Sequence, residues 1–281
     1  MNTRISKREK ALHAFKIIFL VLAALIGLFP FYLVVMYAIK SPIDAANTNP
    51  LLPPHTIAWS NFTEAIEASN FFNASKNSLI VSISCVVLTI LVCSMAAYAI
   101  ARSTSRLYRI LFYMFVASIM MPFQAIMFPL YKTWLDLGLL NTLPGLVLAL
   151  LGVGIGYNIF LYTGFIKTVP RELEEAAMID GASKYRIFFG IVFPLLKPVT
   201  MTVLVLGTLG AWNDFVVSMV IVQKEAVTTL PLTQVRFFGE YTTQLHLAFA
   251  GVLLAMIPVI ILYFFTQKYI VGGVTAGAVK G

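Results

Sequence analysis

Residues 77–101 read NSLIVSISCVVLTILVCSMAAYAIA, 25 positions from Asn77 to Ala101 without one charged side chain. About 20 apolar residues of helix cross the hydrocarbon of a bilayer, so this stretch spans it and is too long for an ordinary buried core helix. Outward from it, uncharged runs cover Ile17–Ile39, Ile110–Tyr131 and Leu137–Ile166; a fifth, from about Val199 to Val222, is interrupted by Asp214, and a sixth extends from about Leu247 to Gln267. Over all 281 residues, 59% are hydrophobic and 11% charged, against roughly 25% charged in soluble domains. That excludes a water-soluble globular enzyme. The expected fold is an all-α integral membrane protein with six transmembrane helices. Cys85 and Cys93 both lie in the quoted run, about 12 Å apart along a helix, too far for a disulfide, and read as packing residues.

Six spans put both termini on one side. With that side cytoplasmic, fifteen basic residues fall inside, among them Arg4, Lys7, Arg8, Lys10 and Lys16, and only Lys40, Lys76, Lys132, Lys224 and Arg236 fall outside. Basic loops resist translocation, so the net charge of +8 reads as topology rather than as a nucleic-acid surface. The first run has 23 residues, longer than a signal-peptide core of about 7–15, and lacks a small-x-small exit, so it reads as a retained helix. The organisation expected is a cytoplasmic segment 1–16, a six-helix transmembrane bundle 17–267 with spans at about 17–39, 77–101, 110–131, 144–166, 199–222 and 247–267, and a cytoplasmic tail 268–281. Between the first two spans, Pro42, Pro50, Pro53 and Pro54 favour extended chain. Asn61 with Glu64 three residues on then suggests a capping box, opening a short helix with Phe62 and Ile66 on one side. Asn61 and Asn73 each begin a glycosylation triplet, a pattern short enough to recur by chance.

Catalytic patterns are missing from the sequence. There is no Gly-x-x-x-x-Gly-Lys-Ser/Thr loop to cradle phosphates, no Gly-x-Ser-x-Gly elbow, and no acidic pair within a span. His13, His55 and His246 lie far apart, so neither a metal nor a cofactor is expected on this chain. Gly152 and Gly156 are spaced for close helix packing in lipid. The intramembrane polar groups, Gln124, Tyr157, Asn158, Asn213 and Asp214, together with Trp212, are candidates for a translocation path. For Gln124 and Asn158 the competing reading is an interhelical hydrogen bond. Asp214 has three: lining a polar cavity, pairing with a basic residue of another chain, or resting among headgroups.

The loop between the fourth and fifth spans, residues 168–194, is the most informative segment. Pro170 suits a helix's first turn, and Glu172, Glu174 and Glu175 follow where the helix dipole favours anions. Gly181 is placed to stop that helix in the left-handed conformation, and Ser183 to cap a second one reaching about Ile191. Leu173, Ala176, Ala177 and Asp180 then share one face, whose small side chains let another protein approach closely. The expectation is a docking knob held outside the membrane.

Glu175-Ala176-Ala177, three residues, Gly181, nine residues, then Ile191-x-Phe193-Pro194 resembles the EAA loop of bacterial ABC importer permeases, with Phe193 where that pattern commonly has Leu. Further pieces are similar to carbohydrate-uptake permeases of the maltose importer type: Asn77-Ser78-Leu79, Met121-Pro122-x-Gln124-Ala125, Leu137-Gly138-Leu139-x-Asn141-Thr142, Ala211-Trp212-Asn213-Asp214-Phe215, and a tail resembling the smaller permease of that type. The resemblance implies one of two homologous permeases, with two ATPase subunits below and an extracytoplasmic solute-binding protein above, in a bacterial cytoplasmic membrane. ATP and Mg would then belong to the partner ATPase, and this chain would be no enzyme. By position, Leu173, Glu175, Ala176, Ala177, Asp180 and Gly181 would meet the ATPase, as would Thr275, Ala276, Gly277, Lys280 and Gly281 of the tail. The substrate implied is a carbohydrate, an oligosaccharide first. Glycerol phosphate or a polyol is the alternative within the class, and an ion-coupled secondary carrier the alternative outside it.

Overall fold

The computed structural model describes residues 7–239 and 244–278, with side chains for 12–239 and 244–264. All the regular elements of the described residues are helical. In chain order they are α1 (Lys7–Ala38), α2 (Pro42–Asn47), α3 (Ser60–Ala68), α4 (Phe71–Arg102), α5 (Arg106–Ile119), α6 (Phe123–Asp136) and α7 (Leu143–Ile166). There follow α8 (Glu172–Ile179), α9 (Lys184–Ile187), α10 (Phe193–Leu195), α11 (Lys197–Trp212), α12 (Val216–Ile221), α13 (Leu230–Thr233) and α14 (Leu245–Ala278).

Four helices, α1, α4, α7 and α14, are each long and apolar enough to cross a membrane, and six spans result if each of two bent pairs makes one. The third expected span is therefore not straight. α5 and α6 meet at a 108° bend, because Pro122 offers no N–H and pushes Met121 out of helical conformation. The fifth is also reshaped: α11 ends at Trp212, residues 213–215 break it, and α12 continues alone to Ile221. A second bend of 75° separates the helical stretch Lys184–Leu195 from α11. Three helices outrun the expected spans: α1 begins at Lys7 rather than near Ile17, α4 at Phe71 rather than Asn77, and α14 continues to Ala278, through most of the segment expected as a separate tail.

Contacts divide the chain into two compact units, 1–69 with 234–256, and 70–233 with 257–281. In the first, Ala38, Ala65, Phe237, Leu247, Ala248 and Ala250 form the core, and the rings of Tyr37 and Phe249 stack at 5.0 Å. Pro42 does not extend the chain; it opens α2, capped by the Ser41 hydroxyl, which accepts from the Asp44 N–H at 3.1 Å. Asn61 caps nothing. It is buried one residue inside α3, and its amide donates to the carbonyls of Ala38 and Lys40, 2.8 Å each. Lys40, expected as a topological charge, is fully buried, donating to Thr48 Oγ1 at 2.9 Å and the Asn49 carbonyl at 2.8 Å.

In the second unit α4 packs along α7 and α11, and α5 along α7. Small side chains on α4, among them Cys93, Ala97 and Ala101, let the neighbouring helices come close, the way lipid-embedded helices associate without a hydrophobic driving force. Cys85 and Cys93 are free and buried. Gly156 is a close-approach point: a Cβ there would collide with Ser118 and the Phe115 carbonyl of α5, whereas one at Gly152 would meet nothing within 4 Å. Of the two packing glycines, only Gly156 packs.

Candidate functional site

The 168–194 loop folds as two helices around a glycine. α8 has Glu172, Glu174 and Glu175 in its first turn, where unpaired N–H groups favour anions. Gly181 follows with φ +78°, a conformation that side chains with a Cβ resist. Ser183 caps α9, its hydroxyl oxygen accepting from the Arg186 N–H at 3.3 Å. The second helix does not end before Phe193-Pro194. It widens into a π-helix over Phe188–Val192 and returns to α-helix in α10, and the wider turn makes room for the Pro194 ring, which would otherwise press on the carbonyl of Gly190.

The shared face expected on α8 is split. Leu173, Glu175, Ala176 and Asp180 are exposed, whereas Ala177 is buried and packs with Ile187 and Phe188 in the chain's own core. One residue is a 100° step around a helix, enough to turn Ala177 inward beside Glu174. The exposed flank instead carries Met178 and Ile179, the latter 87% accessible. Sequence reasoning passed over both, although apolar side chains on a charged loop were the available signal.

Glu174 makes the strongest polar contacts of the loop. Its Oε1 accepts from Arg102 Nε at 2.7 Å and Nη2 at 2.6 Å, and its Oε2 from the Tyr98 hydroxyl at 2.8 Å. Arg102 Nη2 also donates to the Val169 carbonyl at 2.9 Å. The side chains of Arg102 and Glu174 are 14% and 6% exposed. Beside this network lies a cavity of about 660 Å³ between α4 and α8–α9, lined by Met95, Tyr108, Arg171, Lys184 and Tyr185 among others.

The path candidates make mostly local contacts. Gln124 is exposed on the second residue of α6, and Tyr157 is exposed on α7. Asn158 donates to the Gly154 carbonyl of its own helix at 2.8 Å, so its bond is not interhelical. Trp212 is buried at the end of α11, and Asn213 donates back to the Leu209 carbonyl at 3.0 Å. Asp214 caps α12: its Oδ2 accepts from the Ser218 N–H and from the Ser218 hydroxyl, 2.8 Å each, and Oδ1 from the Val217 N–H at 3.4 Å. None of the three roles weighed for Asp214 anticipated a cap. Among the described residues no hydrogen bond joins Gln124, Tyr157 or Asn158 to the 212–214 break, and no group of three His, Cys, Asp or Glu is placed to hold a metal.

Two of the sequence pieces noted above meet on one segment. Asn73 and Asn77 both donate to the Ala226 carbonyl, at 3.1 and 3.0 Å, and Asn77 also to that of Thr228 at 3.0 Å. Ser78 Oγ accepts from the Leu230 N–H at 2.9 Å. Asn141, at φ +59°, accepts from the N–H groups of Gln223 and Lys224 at 2.6 and 2.9 Å. The start of α4 and the turn before α7 thus hold residues 222–230 in a polar clamp. Of the tail, Thr275, Ala276 and Gly277 lie in α14 with side chains outside the described set, and Lys280 and Gly281 lie outside the described residues.

Long apolar helices and two bent helix pairs mark a multi-pass membrane protein, with the α8–Gly181–α9 helix-turn-helix bonded to the Arg102 end of α4. Residues 90–275 match the family described as binding-protein-dependent transport system inner membrane component, and the chain belongs to that family. It is therefore a transport subunit rather than a catalyst. It is 37% identical over 253 residues to the melibiose/raffinose/stachyose import permease protein MelC of Bacillus subtilis, covering 90% of this chain and 91% of that one. It is 35% identical over 260 residues to the probable starch degradation products transport system permease protein AmyC of Thermoanaerobacterium thermosulfurigenes, covering 92% and 94%. The fold matches a chain of a crystal structure of a bacterial ABC transporter that imports the acidic polysaccharide alginate, with a TM-score of 0.82 at 22% identity over 95% of this chain and 99% of that one.

Proposed function

We propose that this chain is one of two permeases in a binding-protein-dependent ABC importer that moves a carbohydrate, an oligosaccharide first, across a bacterial cytoplasmic membrane. The observation that carries the reading is the α8–Gly181–α9 element: a short helix with exposed Leu173, Ala176, Ile179 and Asp180, anchored on its other side by Ala177 and Glu174. In this reading both termini and residues 168–194 are cytoplasmic. Leu173, Glu175, Ala176, Asp180 and Gly181 meet the ATPase, Ala177 seats the helix from within, and Thr275–Gly281 reach the same partner. Nucleotide hydrolysis, with ATP and Mg, takes place in the two ATPase subunits, whose closure moves α8 and reorients the helices around a path shared with the second permease. Gln124, Tyr157, Asn158, Trp212, Asn213 and Asp214 are the residues of this chain assigned to that path. A carbohydrate cargo is supported by relatives named for melibiose, raffinose and stachyose and for starch degradation products.

The test is uptake of radiolabelled raffinose and maltotriose into proteoliposomes holding the complex purified with its ATPase and binding protein. Internal ATP is expected to drive uptake with every ion gradient collapsed. Uptake that follows an imposed proton or sodium gradient and ignores ATP overturns the importer reading; ATP-driven uptake of glycerol phosphate with no sugar uptake overturns the cargo.

A further inference from the structure

We infer that Glu174, Arg102 and Tyr98 form a strut that transmits displacement of the α8–Gly181–α9 element into α4, and through α4 to the clamped segment 222–230 at its opposite end. The inference rests on reading α8 as the ATPase-facing lever. An eight-residue helix has little stability of its own, so how it moves is decided by what fastens it. Packing of Ala177 against Ile187 and Phe188 resists compression, but apolar contacts are non-directional and let a helix roll or slide. The Glu174 network removes that freedom. It joins the loop before α8 through Val169, the first turn of α8 through Glu174, and two residues one turn apart on α4 through Tyr98 and Arg102. Two guanidinium donors converge on Oε1 while the Tyr98 hydroxyl holds Oε2, so the carboxylate is fixed in orientation as well as distance. A buried ion pair is weak evidence of stability, since apolar side chains of equal volume fill such space as well; what the charged pair adds here is direction.

α4 suits the task at its far end too. It is an unbroken helix of 32 residues, about 48 Å long, carrying Arg102 at one terminus and Asn73, Asn77 and Ser78, which grip residues 226–230, at the other. A helix that is pushed or rotated at Arg102 therefore shifts the 222–230 clamp without any intervening hinge.

The experiment uses the full complex in proteoliposomes and reads solute transported per ATP hydrolysed. Glu174→Gln preserves shape while removing the charge. The expected result is normal co-purification of the ATPase, continued hydrolysis, and a fall of about tenfold in solute per ATP. Arg102→Lys, which keeps the charge and loses the fork, is expected to fall in the same direction. Should these variants be poorly folded, Arg102→Cys with Glu174→Cys, in a chain with Cys85→Ala and Cys93→Ala, is joined by a bifunctional thiol reagent spanning the lost pair; linkage is expected to restore solute per ATP. An unchanged ratio in Glu174→Gln, or linkage that restores thermal stability and leaves the ratio low, overturns the strut. Failure of the unmodified chain to retain any ATPase on purification overturns the lever reading itself.

Discussion

At position 181 the backbone holds φ at +78° with open space around the missing Cβ, so a side chain there meets strain rather than collision. Val at this site works against about 1–2 kcal/mol of left-handed strain, enough to loosen the turn between α8 and α9 without unfolding the spans. Gly181→Val is expected to reach the membrane at normal levels and to hydrolyse ATP with little solute uptake; uptake at the usual ATP ratio would remove the turn from the mechanism. Asp44 offers a second single-residue test. Its carboxylate is held below the ordinary range chiefly by the hydrogen bond with His55, 2.8 Å to Nδ1. A lowered value means that the folded state binds its proton less readily than the unfolded one. The stabilising contribution of the ionised carboxylate is therefore lost as pH falls through the lowered value. From about pH 5 downward, the melting temperature of the wild type minus that of Asp44→Asn is expected to shrink; a difference that widens over that range contradicts the assignment. Residues such as these were legible in the sequence only where local spacing decides them. Gly181 and Ser183 were, because a turn and a cap depend on neighbours in the chain. Asn61 and Glu174 were not, because their partners lie 21–23 and 72–76 positions away; Asn61 gives up the cap its neighbourhood advertises, and Glu174 adds a distant ion pair to its place in the first turn of α8.

Helices show the same division between local and distant causes. The runs that became α1, α4, α7 and α14 were readable because hydrophobic length is a local property. The 108° bend between α5 and α6 has an equally local cause in Pro122, but an uncharged run conceals it: apolar residues on both sides of a break satisfy the same length criterion. The break at 213–215 is of another kind. Asp214 sits at the start of α12, and its carboxylate occupies both the Ser218 N–H and the Ser218 hydroxyl. Loss of a cap costs about 0.5–2 kcal/mol, and Asn serves nearly as well as Asp. Asp214→Asn is therefore expected to retain most of the transport rate and Asp214→Ala to lose most of it. Equal loss in both would show that the charge, rather than the cap, is what the path requires.

On the scale of the whole molecule, the chain divides its polar side chains between ends and interior in a way that suits a driven subunit. Asn158 and the exposed Asn213 are satisfied by carbonyls of their own helices, so they demand no buried counter-charge. Two directional networks lie at the two ends of α4, around Arg102 and around Asn77. In the proposed reading the driving force enters from outside, across the exposed flank of α8. Ile179, at 87% exposure, and buried Ala177 are two residues apart on that helix and make opposite tests. Ile179→Glu places a charge on the outer face, where the fold has no contact to lose, and is expected to weaken ATPase co-purification by about tenfold or more while the permease keeps its membrane level. Ala177→Glu drives a charge into the core beside Phe188 and is expected to deplete the permease itself, since burying an unpaired charge is among the largest single-residue penalties. Measured side by side in membranes, the first variant separates docking from folding. An intact complex with Ile179→Glu would mean that the partner grips some other surface, and the α8 flank would lose its place as the point of entry for the force.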